Sequence, residues 1–459
     1  MTNIAIIGAT GNVGRKTLEV IEKKDIKFDN LFLVASSNSA GKKISFKGKD
    51  YEVHDLEKYD FSNANITFFA AGGKIAEQYA ESAAKLTTVI DNSSFFRMDP
   101  DVPLIVPQVN AEKINEMKKN IVANPNCSTA QLVLALKPLH DLYKIKRVIV
   151  STYQSVSGGG KAPMDELIEQ TKSYLDGNSV ESKNFTKQIA FNIIPHIDVF
   201  SDDGYTKEEL KMTNETKKIL DNNIELTATC VRIPVLVSHS ESVNIEFENP
   251  YSLEQIREAL NNADGCSVID KRENGGYSTP IEATGSDETF ISRIRDDKTK
   301  ENSINLWIVS DNLLRGAALN SVEIAETIMK ANQNGNNPLS PHIQIYRWHV
   351  SSLVSISHRI TGIINILAIT LICIFFIFFS FSEGSHEFIK LFLQSIIGKF
   401  FILGITWSFS FQILSEIRHL IMDFGYGFEL KTTKITGLIV IFGSFILTVS
   451  IYLIGRNLF

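Results

Sequence analysis

Cysteine is scarce in this chain, and basic residues never bunch. The 4 cysteines among 459 residues, Cys127, Cys230, Cys266 and Cys373, lie far apart with no CxxC pair. That distribution suits neither a disulfide framework nor a zinc site, so no metal is expected and a reducing cytoplasm is. With 46 Lys+Arg against 52 Asp+Glu the formal net charge is −6, and without a dense cationic stretch the footprint of a nucleic-acid binder is missing. The opening "MTNIAIIGAT" reads as a strand and not as a basic region followed by an apolar run and a cleavage site, so no secretory signal is expected. Internal repeats are lacking as well. The patch "NQNGNN" is short enough to serve as a flexible connector.

What is present splits the chain. A length of 459 residues, set against roughly 100 to 200 per domain, implies two or three folding units. Up to about Ile328 charged residues recur every few positions, and beyond it Ile, Phe and Leu dominate. Three apolar runs stand out there: Gly362–Ser382, Lys399–Ser415 with a polar continuation, and Ile435–Gly455. A hydrocarbon core of roughly 30 Å takes about 20 apolar helical residues to cross, so each run is a candidate span, the middle one the shortest. The stretch "LAITLICIFFIFFSF" has no polar face to show water, as a buried soluble helix would be the alternative reading. Arg347 and Arg359 precede the first span, Arg418, Lys431 and Lys434 separate the second from the third, and Lys390 and Lys399 oppose them, which puts the N-terminal side in the cytoplasm.

Before the apolar part, strand-like runs ("NIAIIGA", "NLFLVAS", "NITFFAAG", "TTVIDNS") alternate with helical ones, the pattern of βαβ units over a parallel sheet. Longer alternating strands between Val148 and Phe247 point to a second domain with a mixed sheet, and "AALNSVEIAETIMKA" to a helix that returns to the first. In "IAIIGATGNVGRKTLEVI", Gly8, Gly11 and Gly14 sit between an apolar strand and an amphipathic helix. Glycines there permit the tight turn and let backbone N–H groups reach a pyrophosphate at the helix start. The second strand ends in "ASSNSAGKK", with no Asp or Glu for a ribose 2′-hydroxyl. Ser36, Ser37, Asn38 and Ser39 offer donors and Lys42 and Lys43 charge, favouring NADP over NAD, a plain solvated turn being the alternative.

In "NIVANPNCSTAQLVLALKPL", Cys127 directly precedes an apolar helix starting near Ser128 and Thr129. The positive end of the helix dipole favours thiolate there, whereas Cys230, Cys266 and Cys373 read as inert. A dinucleotide fold with a poised cysteine suggests a thiohemiacetal or thioester exchanging hydride with nicotinamide, as in aldehyde dehydrogenases that handle acyl phosphates.

The motifs "GATGNVG", "VIDNSSFFRMDPDVPLIVPQVN", "ANPNCSTAQLVLALKPL", "STYQSVSGGG", "FNIIPHID", "GYTKEELKMTNETKKI", "RIPVLVSHSESVNIEFE" and "LWIVSDNLLRGAALNSVEIAE" resemble, in order, the aspartate-semialdehyde dehydrogenases over residues 1–330. The resemblance implies Cys127 as nucleophile, His239 as general acid/base and Gln154 as the residue that orients the acyl intermediate. It implies Arg232 as the substrate carboxylate clamp, placed near His239 at one end of a strand. Arg97, Asn126 and Lys211 are implied as phosphate ligands, and Glu208 as the partner of the substrate ammonium. Cofactor contacts are implied for Gly8, Thr10, Gly11, Asn12, Val13, Gly14, Ser36, Ser37, Asn38, Ser39, Gly72, Ser157, Gly158 and Asn312, although Asn38 stands where the family commonly has Arg. The activity implied is NADPH-dependent reduction of L-aspartyl 4-phosphate to L-aspartate 4-semialdehyde in lysine, diaminopimelate, threonine and methionine biosynthesis, by a homodimer or homotetramer. A related acyl-phosphate reductase is the alternative.

"NPLSPHIQIYRWHVSSLVSISHRITGI" and "EIRHLIMDFGYGF" resemble the cytochrome b556 membrane-anchor subunit of succinate dehydrogenase over residues 337–459. This implies ubiquinone contacts from Ser355 and Arg359, haem b with His358, Arg418 and His419 near its propionates, partner subunits, and an inner-membrane location. The axial haem ligand of that family falls on Gln412, so an altered ligand set, haem loss, or a plain tether without quinone or haem are open alternatives. His419 lies seven residues on, about 10.5 Å along a helix, too far to substitute.

The expected architecture is therefore an α/β Rossmann-like domain (1–130), an α+β catalytic and dimerisation domain (131–310), a helix returning to the first domain (311–330), a linker (331–340) and an all-α three-helix transmembrane domain (341–459). Aspartyl phosphate and quinone reduction share no chemistry, so the join reads as genomic adjacency or read-through and not as channelling.

Overall fold

The computed structural model describes residues 2–333, 350–381, 384–424 and 430–458, so most of the expected linker and Arg347 lie outside the described residues. The chain forms two compact units, Met1–Asn337 and Pro338–Phe459.

The first unit begins with β1 (Ile4–Ile7), α1 (Asn12–Lys23), β2 (Leu31–Ala35), β3 (Lys43–Phe46), β4 (Lys49–Asp55), β5 (Ile66–Phe69), α2 (Gly73–Ala84), β6 (Thr88–Asp91), α3 (Pro107–Asn110), β7 (Ile121–Ala123) and α4 (Cys127–Tyr143). Its seven strands order as β3-β4-β2-β1-β5-β6-β7, parallel except for β3 on the edge. Every residue of β1 and β5 is buried, as strands covered on both faces require.

Then follow β8 (Ile145–Gln154), α5 (Lys161–Leu175), α6 (Lys207–Ile219), β9 (Glu225–Arg232), β10 (His239–Phe247), α7 (Leu253–Asn262), β11 (Cys266–Val268), α8 (Pro280–Ala283), β12 (Thr289–Asp296), β13 (Ser303–Ser310) and α9 (Leu319–Gln333). The second sheet, β11-β12-β13-β10-β8-β9, is mixed: β8 runs parallel to β9 and antiparallel to β10. Helix α9 returns to the first sheet, where Leu319, Val322, Ile324 and Ile328 share a core with Ile4, Ile6 and Leu18.

Helix α4 joins the two sheets and is almost wholly buried. It tolerates Pro138 because the Leu134 carbonyl, which a proline cannot serve, accepts instead from the Cys266 thiol at 3.7 Å. The expected inert reading of Cys266 thus acquires a packing reason.

The second unit contains α10 (Val350–Phe381), α11 (Gly384–Gln394), α12 (Ile396–Asp423) and α13 (Leu430–Leu458). Three of its segments are long and apolar enough to cross a membrane, Leu353–Ile374, Ile396–Asp423 and Thr432–Gly455. The first thus begins at Leu353, ahead of the apolar run at Gly362, and the second takes in the polar continuation expected after Ser415, to Asp423. Ser355, His358, Thr361, Gln412 and Glu416 are compatible with helix, so hydrophobicity alone sees only part of each span. Small residues allow close approach. A Cβ on Gly437 would lie 2.7 Å from Val350 Cγ1, and Trp407 Nε1 donates to Ser444 Oγ at 3.2 Å.

Candidate active site

A cavity of about 760 Å³ in the first unit is lined by residues from both sheets, among them Asn12, Val13, Gly72, Cys127, Gln154, Arg232 and Asn312. Its floor is the start of α4. Asn126 caps that helix, Oδ1 accepting from Ser128 N at 2.9 Å, while its Nδ2 donates to Glu208 Oε1 at 2.8 Å. Its own N–H donates to Glu215 Oε2 at 2.6 Å. Cys127 is therefore held in the first turn by a cap that is itself anchored to α6.

The thiol reaches the cavity, yet its protonation departs from the expected thiolate. Burial, then the Glu208 carboxylate, push it up to about 12, against the opposing pull of Arg97, Arg232 and the Ser128 N–H. The physical reason is scale: a helix terminus contributes about 1 kcal/mol, less than the cost of burying a thiolate in a site that also holds an anion.

Helix α6 begins with a capping box, Thr206 and Glu209 satisfying each other's N–H groups. This fixes the face that carries Glu208, Lys211 and Glu215. Glu208 is buried and bonded by Lys211 Nζ at 3.1 Å and by Gln154 Nε2 at 3.3 Å. Burial alone would raise its carboxyl, but Lys211, Asn126 and Arg232 outweigh that and hold it below the usual range. Lys211 also meets Asp198 Oδ2 at 2.7 Å, and the two carboxylates, overcoming burial, raise its ammonium. The Glu208–Lys211 pair is thus a wall of the cavity and not an exposed helical pair.

Arg97 is 8% exposed and spends three of its five N–H groups on the protein: Nε on Asn124 O at 2.9 Å, Nη1 on Glu215 Oε1 at 3.0 Å and Nη2 on Asn92 O at 3.1 Å. The remaining two can serve an oxyanion. Arg232 donates Nη1 to Ser155 O at 2.7 Å and keeps its other N–H groups for the cavity. It closes β9, whereas His239 opens β10, so the two sit on strands that flank β8 and not at one end of a single strand as the sequence suggested.

His239 does not line the cavity. It is fully buried behind Gly158, where a Cβ would lie 3.4 Å from His239 Nε2 and 3.3 Å from Arg232 Nη1. Nδ1 accepts from Ser155 N at 3.0 Å, so the neutral ring carries its proton on Nε2, which has no partner. Burial and then the Arg232 charge lower the imidazole to about 3. Asn312 knits this corner together, its Oδ1 accepting from Ser238 N at 2.9 Å and from Ser155 Oγ and Ser157 Oγ at 3.1 Å.

The glycine loop fits a dinucleotide. Gly8 has φ +84°, and a Cβ on Gly14 would lie 2.3 Å from Gly8 O, so neither position accepts a side chain, and the α1 start that Gly11 caps stays bare. Thr10 lies in this loop. Asn12, Val13, Gly72, Ser157, Gly158 and Asn312 line the cavity that holds Cys127, while Ser36, Ser37, Asn38 and Ser39 form a separate, mostly exposed turn.

Sequence reasoning missed Glu215, Asp198, Ser155 and Gly316. Glu215 had a signal, since Glu208, Lys211 and Glu215 recur at helical spacing. Gly316 had none, yet a Cβ there would sit 2.5 Å from Cys127 Cβ.

In the second unit, His358 and Gln412 meet between α10 and α12. Gln412 Oε1 accepts from Thr361 Oγ1 at 2.8 Å, and its Nε2 lies 2.6 Å from His358 Nε2, which also meets Glu416 Oε1 at 2.9 Å. The His358 and His419 rings lie 5.3 Å apart, and Arg418 Nε donates to Thr436 Oγ1 at 3.2 Å. Ser355 and Arg359 are exposed on α10. This donor set does not fit a haem iron: the amide of Gln412 is no axial ligand of the imidazole kind, and the Nε2 of His358 is already engaged.

A glycine-loop dinucleotide domain opening on a cavity with a cysteine, two arginines and an acid–lysine pair defines a nicotinamide-dependent dehydrogenase of the cysteine-nucleophile class, here continuous with a membrane-spanning domain. Residues 3–117 match the family described as semialdehyde dehydrogenase, NAD binding domain, and 136–315 its dimerisation domain. Residues 333–451 match the succinate dehydrogenase/fumarate reductase transmembrane subunit. An aspartate-semialdehyde dehydrogenase of Aquifex aeolicus is 52% identical over 332 residues, 71% of this chain and 98% of the relative. Aspartate-semialdehyde dehydrogenase II of Vibrio cholerae, solved with ASA, aligns with a TM-score of 0.70 at 46% identity, covering 72% of this chain and 98% of that one. The Candida albicans enzyme solved with NADP aligns at 0.57 and 25% identity, covering 72% and 99%. The chain belongs to the aspartate-semialdehyde dehydrogenase family, and carries a succinate dehydrogenase-type transmembrane domain after it.

Proposed function

We propose that the first unit reduces L-aspartyl 4-phosphate to L-aspartate 4-semialdehyde and phosphate with NADPH, through a thioester on Cys127. The observation that carries this is one cavity holding Cys127, Gln154, Arg232 and the Glu208–Lys211 pair beside the glycine loop. Arg232 takes the substrate carboxylate in a bidentate grip, Glu208 takes the ammonium, and Arg97, Asn126 and Lys211 receive the phosphate. Cys127 attacks the acyl carbon and phosphate leaves with the C–O bonding pair. Gln154 orients the acyl group. Bound NADPH supplies the hydride. Return of the electron pair from oxygen then expels the Cys127 sulfur and releases the aldehyde. The thiol proton of Cys127 goes to His239 Nε2 once the ring has moved its own proton to Nδ1, where Ser155 Oγ lies 3.1 Å away to accept it, and His239 returns that proton to sulfur as the aldehyde leaves. Preference for the phosphorylated cofactor is supported by the Ser36–Ser39 turn, which carries no carboxylate, and by the Candida relative solved with NADP. The unit acts as a homodimer or homotetramer.

The second unit holds the enzyme at the inner membrane, first unit on the cytoplasmic side, and offers Ser355 and Arg359 to a quinone shared with succinate dehydrogenase partner subunits. Haem b is not part of this reading, because Gln412 and His358 are committed to each other.

The test is phosphate-dependent NADP reduction by the purified full-length chain with aspartate semialdehyde, against a glutamyl analogue and against NAD. Cys127→Ala should abolish it, and equal rates with the glutamyl analogue would reassign the substrate. A haem b band at one per chain in the reduced-minus-oxidised spectrum would reject the haem-free membrane unit.

A further inference from the structure

One buried acid has no place in the chemistry above. Glu241, on β10 two residues beyond His239, is 0% exposed, as is Gln131, one turn beyond Cys127 on α4. Both carboxyl oxygens of Glu241 and both amide atoms of Gln131 lack a partner at hydrogen-bond geometry. Such a cluster is unusual, since buried polar groups are nearly always satisfied.

Strand register shows what the pair supports. Glu241 lies opposite Thr152 on β8 and Ile308 on β13, and Thr152 lies opposite Cys230 on β9. Alternation places His239, Gln154 and Arg232 in the next row of the same sheet face. The row behind Glu241, with Val243, Val150 and Ala228, is apolar. Glu241 and Gln131 therefore occupy the boundary between the hydrophobic core and the reacting groups, and Thr152 Oγ1 links that boundary to the site by accepting from Gln154 Nε2 at 3.3 Å.

We infer that Glu241 is a positioning residue held as an uncharged carboxylic acid, paired with the Gln131 amide, so that β10 carrying His239 and α4 carrying Cys127 keep one spacing. An ionised carboxylate only accepts and would leave Gln131 Oε1 unpaired. A protonated one donates O–H to Oε1 and accepts N–H from Nε2, closing a ring of two hydrogen bonds. Gln131 is close enough to act on the Glu241 carboxyl, which burial raises well above its ordinary value. The other ionisable groups around it are His239, Cys127, Cys230 and Glu209, which accepts the Cys230 N–H at 3.0 Å. The cation of the next row, Arg232, lies across β8 and donates to Ser155 O. This inference rests on the reading of Cys127 and His239 as the reacting pair.

Glu241→Gln and Glu241→Leu in the full-length detergent-purified chain separate the possibilities. An amide pair can close the same ring, so Glu241→Gln keeps most of kcat, whereas Glu241→Leu loses on the order of tenfold or more in kcat with KM little changed, as misplaced reacting groups do. The raised carboxyl gives a second readout. Its contribution to stability is full below the unfolded value near 4.5 and is lost as pH rises above it, by about a factor of ten in the folding equilibrium per pH unit. The temperature of half-inactivation of Glu241→Gln should therefore gain on the parent as pH rises from about 5. A flat difference over that rise, or Glu241→Gln as impaired in kcat as Glu241→Leu, overturns the inference. Should Glu241→Leu fail to fold, the pH slope of Glu241→Gln decides alone. Failure of Cys127→Ala to abolish activity would overturn the functional reading instead, without touching that slope.

Discussion

Replacing Gly316 by alanine tests whether the cavity is shaped around Cys127. Gly316 sits in the wide turn Leu314–Ala318, and its backbone is not in the left-handed region, so the penalty is purely one of space. A Cβ there would lie 2.5 Å from Cys127 Cβ, 2.8 Å from its Cα and 3.2 Å from its carbonyl oxygen. Carbon atoms prefer separations of about 3.5 to 4.0 Å, so roughly 1 Å must be opened. No rotamer change helps, because the atoms struck are backbone and Cβ. Cys127 cannot retreat easily, its helix start being tied to α6 through Asn126. Overpacking of this kind costs about 1 to 3 kcal/mol of stability, and a displacement of about 1 Å at a nucleophile costs on the order of 10²-fold in rate. The assay is kcat for phosphate-dependent reduction, with the temperature of half-inactivation recorded alongside. Gly316→Ala with parental kcat and parental stability would refute the argument.

Arg97→Leu leaves Glu215, 1% exposed at its side chain, buried without its cation, and should cost about 3 to 5 kcal/mol of stability, measured by denaturant titration; a loss under about 1 kcal/mol would mean the pair is dispensable. The Cys127 thiol, pushed up to about 12, should be alkylated in the substrate-free enzyme at a rate rising about tenfold per pH unit from about 7 to 10, and a plateau near neutrality would show a thiolate already formed. Glu208→Gln removes the second-largest influence raising that thiol, so alkylation at fixed pH should quicken while kcat/KM for the semialdehyde falls; unchanged alkylation would exclude Glu208 as the controlling charge.

Local patterns carried the parts of this molecule that are local. The glycine spacing from Gly8 to Gly14 is a backbone requirement, the alternation around Val148 is a pleat, and the helix start, at Cys127 itself and one residue before the expected Ser128, follows from Asn126 as cap. Arg97 and Glu215 form their pair across 118 residues, and nothing near either one announces the other. Gly316 is legible only once the turn that bears it meets α4. Protonation at Cys127 escaped because sequence displays the helix start and hides the burial. In the membrane unit, hydrophobicity located three spans, while the polar ends of α10 and α12 add His358 and Glu416, which meet Gln412 inside the second run.

The charge layout around Cys127 makes the resting and working states differ. Glu208 holds the thiol protonated from one side while Arg97 and Arg232 pull the other way. On the proposed reading a substrate ammonium neutralises Glu208, removing a repulsion that only the empty site feels. The substrate carboxylate on Arg232 and its phosphate on Arg97 and Lys211 work the other way by screening cations, so the loss of the Glu208 charge is set against theirs; in the empty site burial and Glu208 together keep the thiol protonated. His239 fits the same logic: kept neutral by burial and by Arg232, with its proton on the nitrogen nearest Gly158, it adds no standing charge to a site whose anion balance sets the nucleophile.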